Sequence, residues 1–69
     1  MNHVSVSSST IESVAHDPES STMEVKFKNG TTYHYHGVPA DLHEDMLQSS
    51  SVGKFLNEHI KNKHSYSQQ

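Results

Sequence analysis

The order of apolar and polar positions divides the chain into three strand-like stretches followed by two helix-like ones. From Thr22 to Lys28 the alternation is strict, with Met23, Val25 and Phe27 apolar and Glu24, Lys26 and Lys28 charged. That is the period of a strand with one buried face. An earlier strand is expected from about Ser9 to His16, where the odd spacing of Ile11 and Val14 breaks the alternation and predicts a β-bulge. Asp17-Pro18-Glu19-Ser20-Ser21 between them has the composition of a turn. The third strand follows Asn29-Gly30, and in it Tyr33 and Tyr35 alternate with His34 and His36.

The hairpin has two possible registers. A two-residue Asn29-Gly30 loop would set Lys26 opposite Tyr33 and Val25 opposite His34. A three-residue Lys28-Asn29-Gly30 loop, with Gly30 in the left-handed region, sets Val25 opposite Tyr33 and Met23 opposite Tyr35. Only the second gathers the apolar side chains on one face, and a one-residue slip inverts every side chain, so burial selects it. The tyrosines then face the core. His34 and His36 face outward, with Glu24 and Thr22 opposite them.

Gly37 ends this strand, and Val38-Pro39 opens a helix with proline in its first turn. Leu42, His43, Met46 and Leu47 form its stripe. Gln48-Ser49-Ser50 breaks it. Ser51 is a good N-cap for a second helix bearing Val52, Phe55, Leu56, His59 and Ile60 on one face. The expected fold is α+β: a three-stranded antiparallel β-meander followed by two α-helices packed on one face (β-β-β-α-α). Its expected core is Ile11, Val14, Met23, Val25, Phe27, Tyr33 and Tyr35 from the strands. Val38, Leu42, Met46, Leu47, Phe55, Leu56 and Ile60 complete it from the helical half. Residues 1–69 form one domain, ordered from about residue 8 to about residue 64, with the first seven residues and the tail S-Y-S-Q-Q expected to fray.

Composition narrows the chemistry. A chain of 69 residues buries only about 60% of its unfolded surface, so its stability is marginal without help. The absence of cysteine excludes disulfides, thiolate metal sites and cysteine nucleophiles. No signal peptide or transmembrane segment is predicted, and a cytoplasmic location away from membranes is expected. The formal net charge is −3, all five basic residues are lysine, and there are seven histidines. Lack of arginine and the acidic balance disfavour strong non-specific nucleic-acid binding, though not a local site. The histidines make the net charge sensitive to pH near their unperturbed value of about 6.5.

Several segments together resemble a known family. They are Ser8-Ser9-x-Ile11-x-x-Val14-x-x-Asp17, then Val25-x-Phe27-x-x-Gly30-x-x-Tyr33-x-Tyr35-x-x-Val38-Pro39, and finally Ser51-x-Gly53-Lys54-Phe55-Leu56-Asn57-x-x-Ile60-Lys61. The combined pattern is similar to the KTSC domain family, named after copies at the C-terminus of some lysyl-tRNA synthetases and also found as small bacterial and phage proteins. The resemblance covers nearly the whole chain. It implies a binding module, RNA-associated through the synthetase link, and transfers no catalytic residue. Where the family usually has an aromatic residue this chain has His16, His43 and His64, and where it has alanine before the Ser-x-Gly segment this chain has Ser49. The three histidines therefore read as replacements for half-buried rings.

Of the candidate sites, Ser51-Val52-Gly53-Lys54 combines unpaired amides at a helix start, a glycine allowing close approach, and a lysine. No acidic residue follows until Glu58, although first turns usually favour one. The expected ligand is a nucleotide or a single-stranded nucleic-acid phosphate, held by Ser51, Gly53 and Lys54 with Asn57 and Lys61 alongside, and sensitive to salt. The leading glycine of a Walker A loop is missing. The plainer reading is that Ser51 only caps and Gly53 only packs. A second function is protein interaction, with a partner or a second copy docked on the outer sheet face or a strand edge. A third is metal binding by His34 and His36 with Glu24, which falls short of the four ligands of a structural zinc. Glu44-Asp45 reads as solvated surface, and Tyr33 and Tyr35 as core rather than a base-stacking platform. No serine–histidine–acid constellation emerges, so no enzyme activity and no cofactor are expected.

Overall fold

The computed structural model describes residues 2–69. Five strands, β1 (Val4–Ser5), β2 (Ile11–Asp17), β3 (Thr22–Phe27), β4 (Thr32–Tyr35) and β5 (Tyr66–Gln68), form one sheet in the order β1-β2-β3-β4-β5. Every neighbouring pair is antiparallel. Between β4 and β5 the chain forms α1 (Ala40–Gln48) and α2 (Val52–Phe55), and α2 runs directly into a π-helical turn, Leu56–Ile60. The α+β class and the two helices match the expected fold.

The expected three-stranded meander is the centre of a five-stranded sheet, because both termini expected to fray are paired. Val4 opposes Val14, and Tyr66 opposes Tyr35. The N-terminal strand has only the short alternation Val4-Ser5-Val6-Ser7 to mark it, and S-Y-S-Q-Q has no aliphatic residue at all. It docks through the backbone ladder and one ring. His36 N–H donates to Ser65 O at 2.8 Å, and Gln69 N–H donates to Thr32 O at 2.8 Å.

The β3–β4 hairpin takes the three-residue loop. Gly30 has φ 95° and its N–H donates to Phe27 O at 3.0 Å, while Phe27 N–H donates to Thr31 O at 2.8 Å. Met23 opposes Tyr35, Glu24 opposes His34 and Val25 opposes Tyr33. In β2 the register shifts between Ile11 and Ser13. The bulge at Glu12 puts Ile11 and Val14, 1% and 0% exposed, into the same core.

Pro39 is the N-cap of α1 rather than part of its first turn, a displacement of one residue. Its carbonyl accepts the first helical bond, from His43 N–H at 3.2 Å. Ser51 caps α2 as expected, its Oγ accepting from Lys54 N–H at 3.3 Å. The π-turn is closed by Lys61 N–H donating to Leu56 O at 2.8 Å.

Helices and sheet meet in a core of Ile11, Val14, Met23, Val25, Tyr35, Val38, Met46, Val52, Leu56 and Ile60. Five residues expected inside it, Phe27, Tyr33, Leu42, Leu47 and Phe55, are only half-buried against it. A chain of this size has too little interior for all its large side chains.

His43 is buried in the place expected of an aromatic ring. It stacks on His16 with centroids 5.1 Å apart and planes 23° apart. His16 Nε2–H donates to the Val38 carbonyl at 2.7 Å. His43 Nδ1 is buried without a partner. Burial, and then the neighbouring His16, push its pKa below the usual 6.5, and Glu44 opposes this weakly. A base with a lowered folded pKa binds fewer protons folded than unfolded. Its contribution is therefore intact above pH 6.5 and lost as pH falls below it. His43→Phe removes the orphan nitrogen and should add about 1 kcal/mol at neutral pH. Urea unfolding at about pH 7.5 and about pH 5.5 should show a smaller loss between the two for the variant than for the parent chain.

Candidate functional site

The five residues picked from sequence as an anion site divide between two places. Ser51 and Lys54 line a shallow hollow at the start of α2 together with Glu58 and His59. Lys54 Nζ lies 4.0 Å from Glu58 Oε1, so an acid already faces this lysine. Gly53 faces the opposite side: a Cβ there would lie 3.4 Å from Thr10 Oγ1 and 3.6 Å from Ser8 Oγ. Its lack of a side chain lets α2 approach the Ser8–Thr10 segment. Together with the cap on Ser51, this gives the first turn of α2 a structural role.

Asn57 and Lys61 point elsewhere. The π-turn carries them to a groove between the β3–β4 hairpin and the C-terminal strand. One half of it, a hollow of about 390 Å³, is walled by Phe27, Tyr33, Tyr35 and Tyr66, with Asn29, Thr31, Asn57 and Lys61 at its polar margin. The rings are mutually braced. Phe27 and Tyr66 each stand edge-to-face with Tyr33 at 5.5 Å and 76°. Tyr35 is buried and belongs to the core, its hydroxyl pKa raised by that burial and then by the adjacent tyrosines. Tyr66 is 57% exposed. Both tyrosines of β4 border the groove, but Tyr35 is buried in the core as expected, whereas Tyr33 is only half-buried against it.

The other half, about 380 Å³, continues past Phe27 and Asn29 to Lys28, Ser9 and Thr10. No Asp or Glu lines either half. Among the described residues, Lys26 pairs with Glu12 and Lys54 with Glu58, while Lys28 and Lys61 have no carboxylate within 4.0 Å. Two unneutralised cations therefore share an aromatic groove on a chain of net charge −3. Phe27, Lys28, Asn29 and Tyr66 were not among the residues picked from sequence. The charge pattern alone does not separate Lys28 from Lys26, and Tyr66 lies in a tail without strand periodicity.

The outer face of the sheet carries the histidines, as the register requires, but not as a metal centre. His34 Nε2–H donates to Glu24 Oε2 at 2.7 Å, and His3 Nε2–H donates to Glu24 Oε1 at 2.5 Å. His3 Nδ1 lies 2.8 Å from Ser13 Oγ. His36 turns instead to Ser67, with Nε2 3.2 Å from its hydroxyl. The described residues contain no group of three or more His, Cys, Asp or Glu side chains able to hold a metal ion. Of the three residues considered as metal ligands, His34 and Glu24 are hydrogen-bonded to each other, while His36 turns away to Ser67. What the sequence did not reveal is His3, brought to Glu24 by the pairing of β1.

A family model for the KTSC domain matches residues 7–66. The chain belongs to the KTSC domain family. Among similar proteins, an uncharacterised protein of Stutzerimonas stutzeri is 34% identical over 64 residues, covering 93% of this chain and 90% of that protein. A lysine–tRNA ligase of Nostoc punctiforme is 30% identical over 60 residues, 87% of this chain but 11% of that enzyme. A crystal structure of a KTSC domain protein from Yersinia pestis matches with TM-score 0.91 and 35% identity, covering 99% of this chain and 96% of that one. No helix among the described residues is long and apolar enough to cross a membrane.

The Glu24 clasp gives this KTSC domain an acid-sensitive feature. Hydrogen bonds from His34 and His3 hold the carboxyl below its ordinary pKa of 4.5. A carboxylate with a depressed folded pKa stabilises the fold fully above the unfolded value, and that stability disappears as pH falls through the folded one. Glu24→Gln should lower the melting temperature at neutral pH and flatten the loss of stability below pH 4.5. Thermal unfolding followed by circular dichroism across an acid series measures both.

Proposed function

We propose that this KTSC domain is a non-catalytic binding module for single-stranded nucleic acid or nucleotides, and that the ligand lies in the groove of Phe27, Tyr33, Tyr66, Asn57 and Lys61. The carrying observation is that Lys28 and Lys61, with no carboxylate within 4.0 Å, flank the cluster holding all three of the chain's tyrosines. Aromatic rings offer a base a stacking surface of about 1–3 kcal/mol per base without demanding a particular sequence. Lysine ammonium groups hold the phosphates, and asparagine amides donate to either part. The lysine–tRNA ligase among the relatives adds support, since that protein's substrate is an RNA.

This reading keeps the ligand class expected from sequence and two of its residues, Asn57 and Lys61. It transfers the contact from the start of α2, where Lys54 faces Glu58, to the aromatic groove. Docking of a partner on a sheet edge has less behind it. The two edge strands are two and three residues long, and very short edges are a usual way of discouraging such pairing.

An NMR titration with a short single-stranded RNA at low salt tests the proposal. Resonances of Tyr66, Asn57 and Lys61 should move together and return when salt is added. Lys61→Glu should weaken binding about tenfold or more and reduce the dependence on salt by about 0.7 in log–log slope. Lys54→Glu should leave affinity within about twofold of the parent, since Lys54 lies outside the groove. Shifts confined to Ser51, Gly53 and Lys54, with Lys61→Glu silent, would return the site to the helix start.

A further inference from the structure

The two halves of the groove are nearly equal in volume, about 390 and 380 Å³, and they share Phe27, Asn29, Asn57 and Lys61. Each is near the lower end of the range for ligand pockets, about 300–1,000 Å³. Their walls differ. Beyond the shared residues one half is made by the tyrosines and Thr31, and the other by Ser9, Thr10 and Lys28. The cation Lys61 and the amide donor Asn57 thus stand at the junction rather than at either end. A mononucleotide, with its charge at one extremity, would leave one half unused.

We propose, building on the reading of this groove as a nucleotide site, that it accepts a two-nucleotide step of a single strand. One base lies against Tyr66 and Tyr33. The linking phosphodiester sits at the junction, where the Lys61 ammonium and the Asn57 amide donate to its oxygens. The adjoining nucleoside occupies the second half, with the Phe27 ring beside its base and the Thr10 hydroxyl within the same hollow. Lys28 faces the strand where it leaves this half, so the chain's two carboxylate-free groove lysines address successive phosphates. The preferred ligand is therefore an oligonucleotide.

The ligands that decide this are adenosine monophosphate and the dinucleoside monophosphate ApA, titrated into the intact chain at low salt with the amide spectrum recorded. ApA carries the smaller charge, so Coulomb attraction alone would favour the mononucleotide. The two-unit groove reverses that order: ApA should bind about tenfold more tightly, one additional stacked base. It should shift the Thr10 and Lys28 amides in addition to Tyr66 and Lys61, whereas the mononucleotide shifts only the latter pair. Extending ApA by one nucleotide supplies the second phosphate, which Lys28 addresses, and should add about threefold, a gain that Lys28→Glu removes. Equal affinity and the same shifted amides for both ligands would overturn the two-nucleotide site while leaving the groove as a nucleotide site. If neither ligand moves Tyr66 or Lys61, the proposed function falls together with it.

Discussion

Gly30 sits at φ 95°, where residues with side chains are strained, and the hairpin that it closes has three loop residues in place of two. That one extra residue decides which set of side chains in β3 and β4 meets the helices. With it, Met23, Val25 and Tyr35 enter the core at 0%, 0% and 2% exposure. Without it, Val25 would share a face with His34 and Lys26 with Tyr33, so neither face of the hairpin would offer the helices a continuous apolar surface. The polar outer face is the complement of the same choice. Asn29 reinforces it, its Oδ1 accepting from Thr31 N–H at 3.0 Å and from Thr31 Oγ–H at 2.6 Å.

The helical layer answers a second geometric demand. Val52, Leu56 and Ile60 recur every fourth position, and at 3.6 residues per turn each such step overshoots a full turn by about 40°. Two steps in a regular helix would rotate Ile60 well away from Val52. Widening the last turn to the π form draws it back, and Ile60 is completely buried. The same widening sets where Asn57 and Lys61 emerge. Irregular turns of this kind are frequent at functional sites, and here a packing requirement of the core places the polar margin of the groove.

What could be read from the sequence was whatever one periodic segment determines by itself. The strict alternation of β3 specified its faces, the Ile11–Val14 spacing specified the bulge, and Ser51 specified a cap that Lys54 N–H occupies. What could not be read depended on pairings between distant segments. Val4 lies in a short alternation, Val4-Ser5-Val6-Ser7, and Tyr66 in a polar tail, and both become strands by pairing with the free edges of β2 and β4. His3 meets Glu24 for the same reason. The candidate site suffered likewise: Asn57 and Lys61 were identified as polar residues on the second helix, but their neighbours Phe27, Asn29 and Tyr66 arrive from two other parts of the chain. Tyr33 and Tyr35 share a face and are equivalent by periodicity, yet of the two only Tyr35 is covered completely.

That incomplete burial is where fold and chemistry join. A larger domain would enclose Phe27, Tyr33 and Tyr66, while this one leaves them along an open groove at the hairpin end of the sheet. The acidic turn Asp17–Glu19 lies at the opposite end of β3, whose six residues span roughly 20 Å. Charges on the solvent-exposed surface are screened over about 8–10 Å at ordinary ionic strength, so that turn does little to cancel Lys28 and Lys61. The nearer acids are already engaged, Glu12 by Lys26 and Glu58 by Lys54. A chain with net charge −3 thereby keeps a locally cationic groove, and it coincides with the partly exposed rings. The surrounding acidity would repel polyanions that approach anywhere else, which favours a single strand able to enter the groove over a rigid duplex lying across the surface.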